Sequence, residues 1–247
     1  MHENEAFDAH RRRLLVAGAL LTLGNGFAAG AFAQNGAKRR IGVVGSGRLG
    51  GTVGALWVKA GHPVMFSSRH PDELEDMVAR LGPLASAGSV QQAIAFGDVV
   101  LIAVPYAALP KIGEEHRDAL KGKVVLDACN AVASRDGGEL RNEVDQNGIG
   151  VTSQKYLPGA RVVRAFNTLS SGILAREANR ADPRLGIPIA GDDAHAVEVA
   201  TQLVREAGFE PVVVGKLKDA SRFQQGTAGY GQNVTAVELR RTLSLSP

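Results

Sequence analysis

Gly45-Ser46-Gly47-Arg48-Leu49-Gly50 is where residue type and spacing carry the clearest chemistry in this chain. The apolar Ile41-Gly42-Val43-Val44 before it reads as a short buried strand, and Gly51 to Ala60 after it reads as a helix. In that setting the first glycine permits a tight turn, the second lets backbone approach a pyrophosphate, and the third lets helix pack on strand. The helix N-terminus adds unpaired N–H groups and the positive end of a dipole. The pattern is that of a dinucleotide-binding turn. The second strand, His62 to Ser68, ends about 20 residues on, where an NAD-binding protein carries Asp or Glu for the ribose 2′-OH. Here the residues are Ser67-Ser68-Arg69-His70, with no carboxylate until Asp72. Two hydroxyls and a guanidinium favour a 2′-phosphate, because Arg makes bidentate, charge-assisted bonds to phosphate oxygens. The residues therefore point to NADP(H).

The elements that must position these residues alternate along the chain, which argues a parallel sheet with helices on both faces. Pro71 suits a first helical position, with Asp72, Glu73 and Glu75 in its opening turn. Ser89-Val90-Gln91-Gln92 has capping-box spacing and opens a short helix through Phe96. The continuous apolar run Asp98 to Val104, closed by Pro105, reads as a central buried strand. Tyr106 to Leu120 is helical in pattern, and Val124 to Asp127 is a strand. Arg161 to Phe166, Gly186 to Ala190 and Pro211 to Val214 give three more strands. Between the last two, Asp192 or Asp193 caps a helix with Val197, Ala200, Val204 and Ala207 at helical spacing, stopped by Gly208. Thr235-Ala236-Val237-Glu238 opens a terminal helix through Leu243, suited to docking on a neighbouring copy. The expected organisation is a linker at 34–39, an NADP-binding domain at 40–133, a C-terminal βα extension of the same sheet at 134–223, and a tail at 224–247. The expected fold class is α/β: a doubly wound, mostly parallel Rossmann sheet lengthened by the extra βα units.

The 247 residues, 45% of them hydrophobic and only 5% aromatic, suit tightly packed α/β layers. A net charge of +3 argues against a nucleic-acid partner. A single cysteine, Cys129, excludes an internal disulfide, and the six His have no metal-ligand spacing. Arg11-Arg12-Arg13-Leu14-Leu15, an apolar stretch from Leu14, and Ala31-Phe32-Ala33 match a twin-arginine-type signal with an A-x-A cleavage site, so residues 1–33 are read as a targeting segment. The expected location is periplasmic by the twin-arginine route, with the export machinery as partner; the alternative is an anchor formed by an uncleaved N-terminal segment.

Five stretches carry a resemblance to a known family: IGVVGSGRLGGTVGALWVKAGHPVMFSSRHP at 41–71, DVVLIAVPYAALP at 98–110, VVLDACNAV at 124–132, VVRAFNTL at 162–169 and AGDDAHAVEVATQLVREAGFEPVVVGKL at 190–217. Together they resemble the NADP oxidoreductases that use coenzyme F420, a deazaflavin. The resemblance implies that Ser67, Ser68 and Arg69 hold the 2′-phosphate, and that Ser46, Arg48 and Leu49 line the pyrophosphate turn with Gly45, Gly47 and Gly50. It places Val104, Pro105 and Tyr106 at the ribose and nicotinamide. Ala165-Phe166-Asn167-Thr168 would approach the nicotinamide or the second substrate. It implies hydride transfer between NADP(H) and a deazaflavin, a flavin or another small reducible acceptor. Chemistry of this kind is carried by the cofactor and needs neither nucleophile nor metal. Asn167, as a donor to a ring carbonyl, is the catalytic candidate; an Asn that merely satisfies backbone at a strand end is the alternative. The family is mostly cytoplasmic, which the targeting segment departs from. Rival readings are a non-catalytic NADP-binding sensor, an imine reductase and a ferric reductase, and a homodimer is compatible with the terminal segment.

Overall fold

The structure, a computed structural model, describes residues 38–245. The expected twin-arginine segment and cleavage site lie outside the described residues. In chain order the elements are β1 (Ile41–Val44), α1 (Arg48–Lys59), β2 (Val64–Ser67), a 3₁₀ turn (Pro71–Leu74) running into α2 (Glu75–Leu81), β3 (Ala85–Gly88), α3 (Val90–Phe96) and β4 (Val99–Ile102). A 3₁₀ turn (Tyr106–Ala108), α4 (Leu109–Glu115), α5 (Arg117–Leu120), β5 (Val124–Asp127), α6 (Ala133–Asp136), α7 (Gly138–Asn147), α8 (Ile149–Tyr156) and β6 (Arg161–Arg164) follow. Then come α9 (Ser171–Glu177), β7 (Gly186–Gly191), α10 (Ala194–Glu206), β8 (Glu210–Gly215), a 3₁₀ stretch (Leu217–Phe223) and α11 (Ala236–Thr242).

One sheet of eight strands holds the order β3-β2-β1-β4-β5-β6-β7-β8. β1 to β6 are parallel, β7 runs antiparallel to β6, and β8 is parallel to β7. The expected doubly wound, mostly parallel sheet with a C-terminal extension is the observed one. β1 pairs with both β2 and β4, so the connection reverses direction there, and the crevice at the C-terminal ends of these strands is where open α/β sheets bind ligands.

Both faces of the sheet are covered, which is why the strands are apolar throughout. Ile41, Val43, Val64, Phe66, Val99, Leu101 and Leu126 pack on one face with Val53 and Trp57 of α1 and Val199 and Leu203 of α10. Their alternate neighbours Val44, Val100, Ile102 and Val125 pack on the other face with Ile94, Leu109, Leu120 and Ile149. Trp57 Nε1 donates to Leu203 O at 2.9 Å and so ties α1 to α10.

The structure departs from the sequence pattern in four places. β3 (Ala85-Ser86-Ala87-Gly88) lacks the β-branched residues that mark a strand and is held by pairing with β2. The helix expected over 106–120 breaks at His116 and not at Pro110, since Pro110 lies in the first turn of α4, where no N–H is needed. β6 stops at Arg164, because Phe166 turns to φ 60°. The terminal helix α11 packs on its own chain: Leu239 and Leu243 are buried, and Gly186 N donates to Val234 O at 3.0 Å. It is not free to dock on a neighbour with that face. Asp193, of the two candidates, caps α10 through Ala196 N at 2.7 Å, whereas Asp192 accepts from Leu217 N at 3.0 Å.

Candidate functional site

The glycine turn takes the expected form between β1 and α1. Gly45 has φ 93°, and its N–H and that of Ser46 both donate to Ser67 O, at 3.3 and 3.0 Å, which fastens the turn to the end of β2. A Cβ on Gly50 would lie 2.2 Å from Gly45 O, so helix and strand approach closely there. Gly47 is the opposite case: a Cβ there would meet no protein atom within 4 Å. It caps α1, which has no side-chain cap and no acidic residue in its first turn. The first N–H groups of that helix are therefore left for an anion. Arg48 is exposed on the first turn and Leu49 is half-buried beside it.

At the end of β2 the three predicted residues divide. Ser67 is fully buried, and its hydroxyl donates to Val43 O at 2.9 Å, so it braces β2 on β1 and does not reach a phosphate. Ser68 is half-buried and accepts from His70 N at 3.1 Å, while Arg69 is exposed. Neither Arg48 nor Arg69 forms an ion pair among the described residues. Two uncommitted guanidiniums thus flank a turn that presents N–H groups, which is the donor set a dinucleotide with a 2′-phosphate requires.

After β4, Val104 is half-buried and Pro105 exposed, but Tyr106 turns inward. Its hydroxyl lies 3.1 Å from Ser153 Oγ, its ring packs edge-on to Tyr156, and burial together with the Asp127 carboxylate pushes the phenol well above its ordinary range. Tyr106 is core, so of the three residues expected at the ribose and nicotinamide its side chain is turned away; Pro105 is exposed and Val104 half-buried in that loop. The loop is positioned by Asp136, whose carboxylate accepts from Ala107 N at 3.2 Å and Val132 N at 2.8 Å and pairs with Arg135 at 2.7 Å. Burial alone would raise its pKa; the Arg135 guanidinium and the two N–H groups outweigh that and hold it below the usual carboxylate range.

β5 and β6 end in a buried ion pair. Asp127 and Arg164 are register partners, both fully buried, with Nη1 to Oδ2 at 2.5 Å. Asp127 Oδ1 accepts from Cys129 N at 2.9 Å, and Arg164 Nη2 donates to Cys129 O at 2.6 Å, so the pair fixes the loop after β5. Burial, then the Asp127 carboxylate, push the Cys129 thiol up, which makes it a poor nucleophile. Next, Asn130 Nδ2 donates to Asn167 O at 2.7 Å. Ala165 is fully buried in the core and presents no side chain to a ligand. Phe166 holds its φ of 60° with its ring wedged edge-on between Trp57 and Phe209. An aromatic residue in that region is a strained conformation of the kind that collects at functional sites. Asn167 Nδ2 is committed to Asn130 Oδ1 and Phe223 O, both at 3.3 Å. It is thus not free to donate to a ring carbonyl, and what Asn167 offers is its oxygen.

Four buried side-chain atoms among the described residues have no hydrogen-bond partner: Ser46 Oγ, Arg164 Nε, Asn167 Oδ1 and Gln225 Oε1. Native interiors leave few such atoms, and each calls for a reason. Ser46 follows β1, Arg164 ends β6, Asn167 follows it, and Gln225 lies two residues past Phe223, whose carbonyl Asn167 touches. Ser46, Arg164 and Asn167 therefore lie at the C-terminal ends of parallel strands, Ser46 at β1 and the other two at β6. Gln225, Asp136 and the Asp127–Arg164 pair carry no local motif. The one signal in the sequence was a charge that closes each of two strands, Asp127 in VVLD and Arg164 in RVVR.

The fold and this cradle define a dinucleotide-binding protein of the Rossmann class. Residues 40–131 match the family described as NADP oxidoreductase, coenzyme F420-dependent. The metalloreductase STEAP3 of Rattus norvegicus is 28% identical over 185 residues, 73% of this chain and 35% of that protein, so the chain spans about a third of its length. The F420-dependent NADP reductase of Methanothermobacter thermautotrophicus is 26% identical over 194 residues, 73% of this chain and 83% of its own length. The crystal structure of a hypothetical protein of Sinorhizobium meliloti superposes with a TM-score of 0.68 at 29% identity, over 80% of this chain and 95% of that one. Over these spans the chain is similar to an F420-dependent NADP reductase and to a metalloreductase.

Proposed function

We propose that this protein transfers a hydride between NADP(H) and a deazaflavin of the coenzyme F420 type. The cofactor half rests on one observation: a glycine turn with open space at Gly47, flanked by the uncommitted Arg48 and Arg69 and free of a carboxylate until Asp72. The acceptor half rests on the family matched over residues 40–131 and on the relative from Methanothermobacter thermautotrophicus. The N–H groups opening α1, with Ser46 and Arg48, hold the pyrophosphate; Ser68 and Arg69 hold the 2′-phosphate. Val104, Pro105 and Asn167 border the nicotinamide end. NADPH, when bound, supplies the hydride and the protein supplies orientation. Asp136 and the Asp127–Arg164 pair act one layer behind, holding the loops after β4 and β5 in place.

A second reading, reduction of a metal ion, is favoured by the likeness to the metalloreductase. One experiment separates the two: NADPH oxidation is followed by absorbance while coenzyme F420, a flavin or a ferric chelate is added to the full chain. Turnover with F420 alone supports the first reading, and turnover with the chelate alone supports the second. Binding of NADPH without oxidation by any acceptor marks a sensor. For residues 1–33 we propose export by the twin-arginine route. Cell fractionation with N-terminal sequencing of the product tests it, and a cytoplasmic product that begins at Met1 refutes it.

A further inference from the structure

We propose that Asn167 and Gln225 form a pair of acceptors for the two amide hydrogens of the nicotinamide carboxamide, so that the segment after Phe223 completes the cofactor site. The inference rests on the NADP(H) reading above. It begins from two buried amide oxygens, Asn167 Oδ1 and Gln225 Oε1, that lack any donor. Leaving such an oxygen unpaired loses its hydration with no hydrogen bond in return. Asn167 cannot relieve the cost by turning its amide over, because Nδ2 already donates to Asn130 Oδ1 and Phe223 O, and a flip would set oxygen against oxygen at both places. Asn167 is 2% exposed, and its oxygen is buried.

The path of the chain brings Gln225 to the same place. Phe223 O accepts from Asn167, and three residues on, a Cβ on Gly226 would lie 3.9 Å from Arg141 Nη2, whose sister nitrogen Nη1 donates to Ala131 O at 3.5 Å. The segment 223–226 therefore crosses from the end of β6 to the loop after β5, with Gln225 in between. Gln224 faces the other way, its Oε1 accepting from Ile149 N at 3.2 Å. Gly231 N donates to Thr168 O at 3.0 Å and pins the far side of the segment. Two unpaired acceptors on segments that meet at the end of β6 suit a group that carries two hydrogens. In NADP(H) the group at the nicotinamide end with that property is the primary carboxamide. Holding both hydrogens fixes the rotation of the ring.

The test is calorimetric binding on the full chain, independent of turnover. The probes are NADP+, its 3-acetylpyridine analogue, in which a methyl replaces the amide NH2, and 2′,5′-ADP, which lacks the nicotinamide half. Wild type is expected to bind the analogue at least tenfold more weakly than NADP+, since a site built to accept hydrogen bonds is left unpaired by a methyl. Gln225→Leu is expected to weaken NADP+ by about tenfold and to bring the two dinucleotides within about threefold of each other, following the loss of one such acceptor. Gln225→Glu keeps an acceptor oxygen and is expected to restore part of the discrimination. Binding of 2′,5′-ADP should stay unchanged in all three proteins and so reports an intact cradle. Equal binding of the analogue and NADP+ by wild type overturns the inference, as does full discrimination in Gln225→Leu. Failure of wild type to bind 2′,5′-ADP instead overturns the NADP(H) reading, and this inference with it.

Discussion

Two neighbouring glycines are expected to fail in opposite ways when given a methyl group. Gly47 has φ −67° and ψ −162°, extended backbone that alanine adopts freely, and its added Cβ would meet no protein atom within 4 Å. Alanine is a poorer helix cap than glycine, while losing glycine from the unfolded chain gives back about 0.4–1 kcal/mol. These nearly cancel, so Gly47→Ala should stay within about 1 kcal/mol of wild type, a Tm change of at most about 2–4 °C for a domain of this size. The methyl instead occupies the space the pyrophosphate needs. NADPH affinity should fall tenfold or more, which is at least about 1.4 kcal/mol. At Gly50 the added Cβ lies 2.2 Å from Gly45 O and 3.1 Å from Val43 Cγ1, and a backbone oxygen cannot swing aside. Overpacking of this kind costs about 1–3 kcal/mol. Gly50→Ala should therefore lose Tm by about 3–10 °C at that cost and lose NADPH binding as well, because α1 is pushed off β1. Thermal unfolding by circular dichroism and titration by nicotinamide fluorescence give both numbers. The reasoning is refuted if Gly47→Ala binds NADPH as wild type does, or if it melts as early as Gly50→Ala.

Arg69→Gln should weaken NADPH by about ten- to a hundredfold, the worth of one charged hydrogen bond, and leave NADH unchanged; equal loss for both nucleotides would place the 2′-phosphate elsewhere. Arg164→Met leaves Asp127 charged and buried without its partner, so stability in urea should drop by about 3–5 kcal/mol, and the double variant Asp127→Leu with Arg164→Met should recover much of it. A mild single variant would refute that. Asp136 has a depressed pKa, so its contribution to stability is present above the unfolded carboxylate value of about 4 and is lost as the pH falls through the lower folded value. Urea midpoints at pH 7 and pH 3 should therefore differ less in Asp136→Asn than in wild type, and an unchanged difference would show that another carboxylate carries the acid dependence.

The sequence alone determined the parts that depend on near neighbours in the chain. The run Ile41 to Gly50 sets a strand, a tight turn and a helix within ten residues, and Gly50 is required by the backbone oxygen of Gly45, five positions away. The capping boxes at Ser89 and Thr235 are local in the same sense and form as their spacing dictates. Alternating apolar runs were enough to give the class of sheet, because strands covered on both faces leave no room for polar positions. Which side chains face the crevice was decided only by tertiary structure. Ser67 and Tyr106 have the residue types of a ligand site, yet packing turns both into the interior, one to Val43 O and the other to Ser153. Gln225 has no motif at all. It follows Phe223, whose carbonyl meets Asn167, 56 positions earlier in sequence, only because the 3₁₀ stretch after β8 crosses the end of β6. A hydrogen bond left unmade is a relation between distant segments, and residue type or spacing cannot encode it until the sheet has closed.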